Sequence, residues 1–228
     1  MIDDHGSGVA VVSVIRNGGF RRLRKFALCI LAVTTVLAGN SRNSASQDLK
    51  VLHLKLDGSL TDSSTYRNDG AQPKNSDRPL TWSRRGKTSR ALALDGKLPV
   101  FVSFNRTLEP GDSSWSISFW IRPRASEEQP LHAGLVSSYF GDGRAYGVKL
   151  SKGKLRAFFY ADRSNRAEAA SIPLDGRIRN SINLFDGAWH HVTAVLDRRW
   201  DGEIRLYVDG RNVTAKVAVQ PHSIVTEA

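Results

Sequence analysis

The chain has 228 residues, of which 40% are hydrophobic and 8% aromatic, and its 33 basic and 22 acidic side chains give a formal net charge of +11. A chain of this length and composition buries one hydrophobic core. Cys29 is the only cysteine, which excludes a disulfide-stapled fold and a cysteine metal site.

The first 46 residues differ in kind from the rest. Basic side chains are concentrated over 16–25, an uncharged run follows over 26–38, and small polar residues come next. This order is typical of a secretory signal peptide, since the apolar run is too short to span a bilayer comfortably. We predict a signal peptide and small-residue spacer over 1–46, cleaved after Ala38 or Ser46, and one domain over 47–228. The alternatives are a buried N-terminal helix or a retained membrane anchor.

Export of this kind predicts a secreted, periplasmic or cell-surface protein with no stable membrane span after cleavage. Residues 47–228 carry 27 basic and 20 acidic side chains, and their basic clusters fall in predicted loops. A nucleic-acid interface would need these clusters on one face with stacking aromatics, which the sequence does not show. No nucleic-acid partner is therefore expected. The clusters are either solvated loop charge or a surface for acidic or sulfated polysaccharide, whose anionic groups arginine recognises.

Two runs near the C-terminal end predict a β-hairpin. Val192, Ala194 and Leu196 occupy every second position of the first run, and the stretch 204–208 alternates in the same way. Each run offers one continuous apolar face, which a second sheet must cover. Further strands are predicted about every ten residues over 135–160, and 163–183 is predicted as a long loop with one short edge strand.

The hairpin residues resemble a known family. Asp186-Gly-Ala-Trp-His-His-Val192 and Leu206-Tyr-Val-Asp-Gly210 are similar to the D-G-x-W-H-H-V and L-Y-V-D-G signature of laminin-G-like domains, in the concanavalin A-like lectin/glucanase superfamily. The segments 54–70, 91–96 and 115–123 resemble other family motifs in the same order, so the resemblance runs from about Leu49 to Val219. It implies an all-β, two-sheet antiparallel jelly-roll sandwich.

One part of the family pattern has no equivalent here. The closing strands, which carry an I-D-E-V-R-I-Y segment, are not found over 221–228. The resemblance therefore implies a sandwich that lacks its C-terminal closing strands. We expect the edge beside the strand of Leu52, Leu54 and Leu56 to be uncovered.

The carboxylates do not suggest an enzyme. Glucanases of this fold use an E-x-D-x-x-E or E-x-D-x-E strand, so that two acids flank one glycosidic bond. None of the six glutamates begins such a motif: Glu109, Glu127, Glu128, Glu168, Glu203 and Glu227. His190 and His191 are adjacent on a strand, so they point to opposite faces and do not chelate one metal together. We therefore expect no catalytic activity.

The resemblance also implies a structural calcium ion as a candidate cofactor. Calcium takes six to eight oxygen ligands, and Asp57, Asp62 and Asn68 offer suitable oxygens in the loop 57–70. The alternative is that Asp62 and Asn68 hydrogen-bond to their own turn, as Asx residues do.

Lectin-like jelly rolls place sugars against aromatic rings and polar side chains on a sheet or at its rim. The candidate contacts lie at strand ends or out of phase with the apolar faces: Tyr139, Asp142, Arg144, Tyr146, Tyr160 and Trp200. We predict a secreted, non-catalytic, lectin-like module that binds carbohydrate or extracellular matrix glycans. The alternatives are a structural or protein-adhesion module and an accessory domain of a larger secreted glycan-active enzyme.

Overall fold

Two antiparallel β-sheets make up almost all of the regular structure. The computed structural model describes residues 9–12, 28–38, 50–95, 98–103, 105–109, 114–124, 132–139, 144–160, 166–176, 181–197 and 203–216. The described strands are β1 Val9–Val12, β2 Leu28–Ala38, β3 Lys50–Leu54, β4 Gly70–Ala71, β5 Thr81–Ser83, β6 Ala91–Leu94, β7 Val100–Val102, β8 Ser114–Pro123, β9 His132–Tyr139, β10 Ala145–Ser151, β11 Lys154–Tyr160, β12 Arg166–Ser171, β13 His190–Asp197, β14 Glu203–Val208, β15 Arg211–Asn212 and β16 Thr214–Lys216. A short 3-10 helix covers Arg106–Leu108.

The first sheet has the order β16-β12-β11-β10-β9-β1-β7-β4. The second has the order β15-β14-β13-β8-β2-β6-β5, and β3 also pairs with β2. Within the described ranges, no helix has the length and apolar character needed to cross a membrane. The all-β, two-sheet architecture predicted from the sequence is confirmed.

The core lies between the sheets and follows the period-two pattern of the sequence. On β8, Ile117, Phe119 and Ile121 are buried while the residues between them are partly exposed. β11 supplies Leu155 and Ala157 in the same manner from the opposite sheet. Alternate side chains of a strand leave on opposite faces, so each strand contributes one apolar face to the core.

The predicted hairpin is confirmed. β13 pairs with β14 so that Val192 lies opposite Val208. Asp209 and Gly210 then form a two-residue turn into β15 and both have positive φ, 50° and 77°. Glycine and aspartate adopt this left-handed backbone conformation more readily than most residues do.

The described part of the segment 163–183 contains a longer-paired strand than its sequence indicated. It contains β12, which pairs with β11 on one side and with β16 on the other. β12 is therefore an interior strand of the first sheet and not the short edge strand predicted. The sequence of Arg166–Ser171 did not indicate an interior strand, because it includes polar residues and only Ala167, Ala169 and Ser171 face the core.

Residues 28–38 of the apolar run predicted as part of an export signal form a strand in this structure. β2, Leu28–Ala38, pairs with β8 on one edge and with β3 and β6 on the other. One edge of β3 is therefore paired. Whether this segment is cleaved from the chain stays a prediction.

Candidate functional site

Four neighbouring strands of the first sheet place a group of aromatic and charged side chains on the face away from the core. Along β11, Leu155, Ala157 and Phe159 point inward, so the residues between them point outward. The pairing of β9, β10, β11 and β12 lines up the outward residues of each strand with those of its neighbours. We call this group the outer patch: Tyr139, Lys149, Arg156, Phe158, Tyr160, Arg166 and Glu168.

Three aromatic rings form the centre of the outer patch. The Phe158 ring centroid lies 5.1 Å from that of Tyr160 and 6.2 Å from that of Tyr139. Phe158 is only 2% exposed, whereas Tyr139 is 52% exposed. The Phe158 ring is thus buried against the rings of the two tyrosines, and Tyr139 exposes its ring to solvent.

Gly147 leaves space for the Phe158 ring. Gly147 lies on β10, where it pairs with Phe158 of β11 on one side and with Ser137 of β9 on the other. A Cβ at position 147 would lie 2.3 Å from the Val136 carbonyl oxygen, 2.8 Å from the Ser137 Cα and 3.0 Å from the Phe158 Cζ. Because two of these atoms belong to the backbone, a side chain at this position requires the strands to move apart.

The charged side chains of the outer patch converge on Glu168. Its two carboxylate oxygens accept hydrogen bonds from Lys149 Nζ at 3.2 Å and from Arg156 Nη1 at 2.6 Å. Burial acts to raise the pKa of Glu168, but the hydrogen bond from Arg156 and the charge of Lys149 outweigh it and hold the pKa below its usual range. Glu168 is therefore ionised at neutral pH and orders both cations.

The phenols of the outer patch stay protonated at neutral pH. Tyr160 Oη donates to Glu168 Oε2 at 3.3 Å, and burial together with the Glu168 charge raises the pKa of Tyr160 to about 12. Burial also raises the pKa of Tyr139. The guanidinium carbon of Arg166 lies 5.1 Å from the Tyr160 ring centroid. With three cations and one carboxylate, the outer patch has a net positive charge.

Of the residues predicted to contact sugar, the structure brings together Tyr139 and Tyr160. Arg144 lies just before β10, where Arg144 Nη1 and Glu109 Oε1 form an ion pair at 3.8 Å. Tyr146 is 4% exposed, and its hydroxyl donates to the Leu108 carbonyl oxygen at 2.7 Å. Its predicted place out of phase with the apolar face is therefore wrong, because Tyr146 points into the core. Asp142 and Trp200 lie outside the described residues.

The sequence prediction missed five members of the outer patch: Lys149, Arg156, Phe158, Arg166 and Glu168. The sequence did indicate that Arg156, Phe158 and Tyr160 share one face, since they occupy alternate positions of one strand. It did not indicate that Lys149 and Glu168 join them, because these two reach this face only through the pairing of β11 with its two neighbours.

Two of the three candidate calcium ligands, Asp62 and Asn68, belong to one hydrogen-bond network. Asp62 Oδ1 accepts from the backbone N–H groups of His53 at 2.7 Å and Ser64 at 2.9 Å. Asp62 Oδ2 accepts from Ser64 Oγ at 2.6 Å and from the Asn68 N–H at 2.7 Å. An ionised carboxylate has about four lone-pair sites, and protein donors use all of them here.

This network does not fit a calcium site. Asn68 Nδ2 donates to the Val51 carbonyl oxygen at 2.8 Å, while Asp57 is exposed. Among the residues that the structure describes, no group of three or more histidine, cysteine or acidic side chains is placed to hold a metal ion. The contacts match the alternative interpretation, in which Asp62 and Asn68 stabilise their own loop. Calcium binding itself stays a prediction.

The two adjacent histidines face opposite sides of the second sheet, as predicted. His190 is buried between two carboxylates, with Nδ1 2.7 Å from Asp209 Oδ2 and Nε2 3.0 Å from Asp186 Oδ1. His191 faces outward, and its ring centroid lies 5.0 Å from that of Trp120. Both His190 nitrogens therefore contact carboxylate oxygens.

Comparison with known proteins identifies one relationship. A family model, Laminin_G_3 of the concanavalin A-like lectin/glucanases superfamily, matches residues 102–227, which is more than half of the chain. The matched region contains every strand of the outer patch. Searches of curated proteins and of solved structures returned no match.

Proposed function

Because this chain belongs to the laminin-G-like family of the concanavalin A-like lectin/glucanases superfamily, we propose that it is a non-catalytic carbohydrate-recognition module that binds glycans on the outer patch. The observation that carries this proposal is the exposed Tyr139 ring, which lies beside Phe158 and Tyr160 at the edge of a cluster of cations. Fold alone does not specify function, so the proposal rests on these side chains.

The outer patch offers the two kinds of contact that a sugar needs. The half-exposed ring of Tyr139 is a platform for the apolar face of a pyranose, and the protonated phenols provide hydroxyls for hydrogen bonding. Lys149, Arg156 and Arg166 supply positive charge at the same face. A glycan with carboxylate or sulfate groups would pair with these cations, and arginine binds such oxyanions through two N–H groups at once.

The distribution of acids supports binding without hydrolysis. Glycosidases use two carboxyl groups about 5–9.5 Å apart across the scissile bond. In the sequences of β9, β10, β11 and β12, Glu168 is the single acidic residue, and it is bound by Lys149 and Arg156. Its lowered pKa makes it a poor proton donor, whereas a catalytic acid needs a raised pKa.

The proposal includes export of the protein to the cell exterior or periplasm, on the basis of the residues before position 47. A protein-adhesion function is less well supported, because Tyr66 and Tyr139 are the only exposed large hydrophobic residues in the part of the chain that the structure describes. They do not make an apolar patch of the size expected of a protein-binding surface.

A pair of tyrosine variants tests the proposed site. Tyr139→Ala removes the exposed ring, and Tyr66→Ala removes a ring that is similarly exposed, at 47% against 52%, on the loop 62–70. We expect Tyr139→Ala to weaken binding to a sulfated or uronic acid polysaccharide by about tenfold or more, the equivalent of about 1.4 kcal/mol. The measurement is calorimetric titration of the full chain.

Tyr66→Ala is the control and should bind like the unchanged protein. Raising the salt concentration should weaken binding to the charged polysaccharide, because screening reduces the attraction of Lys149, Arg156 and Arg166. If Tyr139→Ala and Tyr66→Ala bind the polysaccharide with equal affinity, the outer patch is not the binding site.

A further inference from the structure

β2 joins parts of the second sheet that otherwise do not pair with one another. One of its edges pairs with β8, and the other pairs first with β6 and then with β3. Among the described strands, β3 pairs with β2 alone. The position of β2 therefore has β8 on one side and both β6 and β3 on the other. We call this position, considered without β2, the strand slot.

The strands that flank the strand slot belong to the centre of the core. Ile117, Phe119 and Ile121 of β8 are 0–1% exposed, and Leu54 of β3 and Leu92 of β6 are fully buried. The backbone groups along these edges need hydrogen-bond partners, because unpaired groups inside a core are strongly unfavourable. The strand slot therefore favours an extended segment that pairs on both edges.

The residues 28–38 have the composition that such a slot requires. The segment contains no charge, no proline and no glycine, and five of its eleven residues are β-branched. It runs antiparallel to β8 over nine register pairs, with one irregularity between Ile30 and Val33. Addition of an extended segment to a sheet edge is a common mode of recognition, in which the backbone hydrogen bonds provide the affinity.

We propose that the strand slot is a strand-acceptor site, that residues 28–38 are its ligand, and that this segment remains bound after the chain is cut between β2 and β3. The proposal is independent of glycan binding, because the outer patch lies on the other sheet. It bears on export, since cleavage after Ala38 or Ser46 would cut the chain at this place.

The single native cysteine provides a direct test of the register. Cys29 lies opposite Arg122, so Arg122→Cys places two cysteines as direct neighbours. Opposite residues of an antiparallel pair have Cα atoms about 4.5–5.5 Å apart, within the range that a disulfide spans. Ser118→Cys is the control, because Ser118 pairs with Thr34 and lies four residues, or about 13 Å, further along β8.

Under mild oxidation, we expect the full chain with Arg122→Cys to lose both free thiols within one molecule, while Ser118→Cys keeps its two thiols. In a second measurement, a protease site introduced at 40–46 of the otherwise unchanged full chain allows a cut between β2 and β3. We expect the two fragments to co-elute in size-exclusion chromatography and to separate only in denaturant. Free thiols in the Arg122→Cys chain, or release of the N-terminal fragment after the cut, would overturn the proposal.

Discussion

At the residue scale, His190 connects the start of β13 to the turn after β14. Its ring is 8% exposed and contacts the carboxylates of Asp186 and Asp209, which are themselves about 40% exposed. Ionised carboxylates only accept hydrogen bonds, so both ring nitrogens donate when the imidazole is protonated. Burial acts to lower the pKa of His190, but the hydrogen bonds and charges of Asp209 and Asp186 outweigh it and raise the pKa.

This arrangement predicts how stability depends on pH. A histidine whose pKa is raised by folding adds stability that is fully present below its unfolded value of about 6.5 and is lost as pH rises through the folded pKa. Asp209→Asn keeps a residue that tolerates φ near +50° but removes the charge. We expect it to destabilise the fold by about 1–2 kcal/mol at pH 6 and by less at pH 9, measured by urea unfolding.

His191 provides a control of opposite sign. Burial lowers its pKa, so its contribution is present above the unfolded value and is lost as pH falls. His191→Gln should therefore steepen the loss of stability between pH 6 and pH 9, whereas Asp209→Asn should flatten it. Parallel pH profiles for the two variants would show that the Asp209 charge does not act on His190.

At the element scale, the Asp62 carboxylate joins the loop 62–70 to β3, beside the bonds from Ser63 and Asn68 to carbonyl oxygens of that strand. Asp62 accepts from His53 in β3 and from Ser64 and Asn68 in its own loop. Burial acts to raise the pKa of Asp62, but the bonds from the Ser64 hydroxyl and from the three backbone groups lower it below its usual range. The stabilisation is therefore present above the unfolded pKa of about 3.9 and is lost as pH falls through the folded value.

We expect Asp62→Asn to destabilise the protein by roughly 1–3 kcal/mol at pH 7. The new amide group brings a donor to a position where Ser64 Oγ and the Asn68 N–H already donate. The measurement is urea unfolding at pH 7 and at pH 3, where the variant and the unchanged protein should become closer in stability because Asp62 is increasingly protonated.

Asp57→Asn is the matched control, because Asp57 is exposed and takes no part in these hydrogen bonds. It should change stability by less than about 0.5 kcal/mol. The same proteins decide the calcium question. A calcium-dependent rise in Tm that Asp62→Asn abolishes would show that the ion displaces protein donors from this carboxylate.

At the scale of the whole molecule, the two sheets have different contents. The outer patch on the first sheet is cationic and has one carboxylate, whereas the second sheet has the strand slot and His190. We expect the purified full chain to bind an acidic polysaccharide without releasing reducing ends over many hours, because Glu168 is the single carboxyl group among the described residues of the outer patch and glycosidases use two.

A reducing-end assay measures this, with a sulfated polysaccharide and a neutral β-glucan as substrates. Glu168→Gln is the informative variant. It should leave the absence of hydrolysis unchanged and alter only binding, because it releases Lys149 and Arg156 from their shared partner. Steady hydrolysis that Glu168→Gln abolishes would instead make Glu168 catalytic.

The fold class and most of the core could be predicted from the amino-acid sequence. Apolar residues at every second position of 117–121, 192–196 and 204–208 specify which face each strand buries, because side chains alternate across a strand. The turn at Asp209 and Gly210 is likewise a local property, since a left-handed turn depends on the residues within it. Tyr139 and Tyr160 were candidates for sugar contact because of their positions at strand ends.

Only the tertiary structure decided what depends on pairing between distant segments. The register of β10, β11 and β12 brings Lys149, Arg156 and Glu168 together, and strand order placed β2 between β8 and β3. Tyr146 was an error of a different kind, because it alternates with Val148 and Leu150, which are buried with it, and the period of the strand alone indicates its inward face. Alternation within one strand is a local property of the chain, whereas register and strand order arise from contacts between residues far apart in sequence.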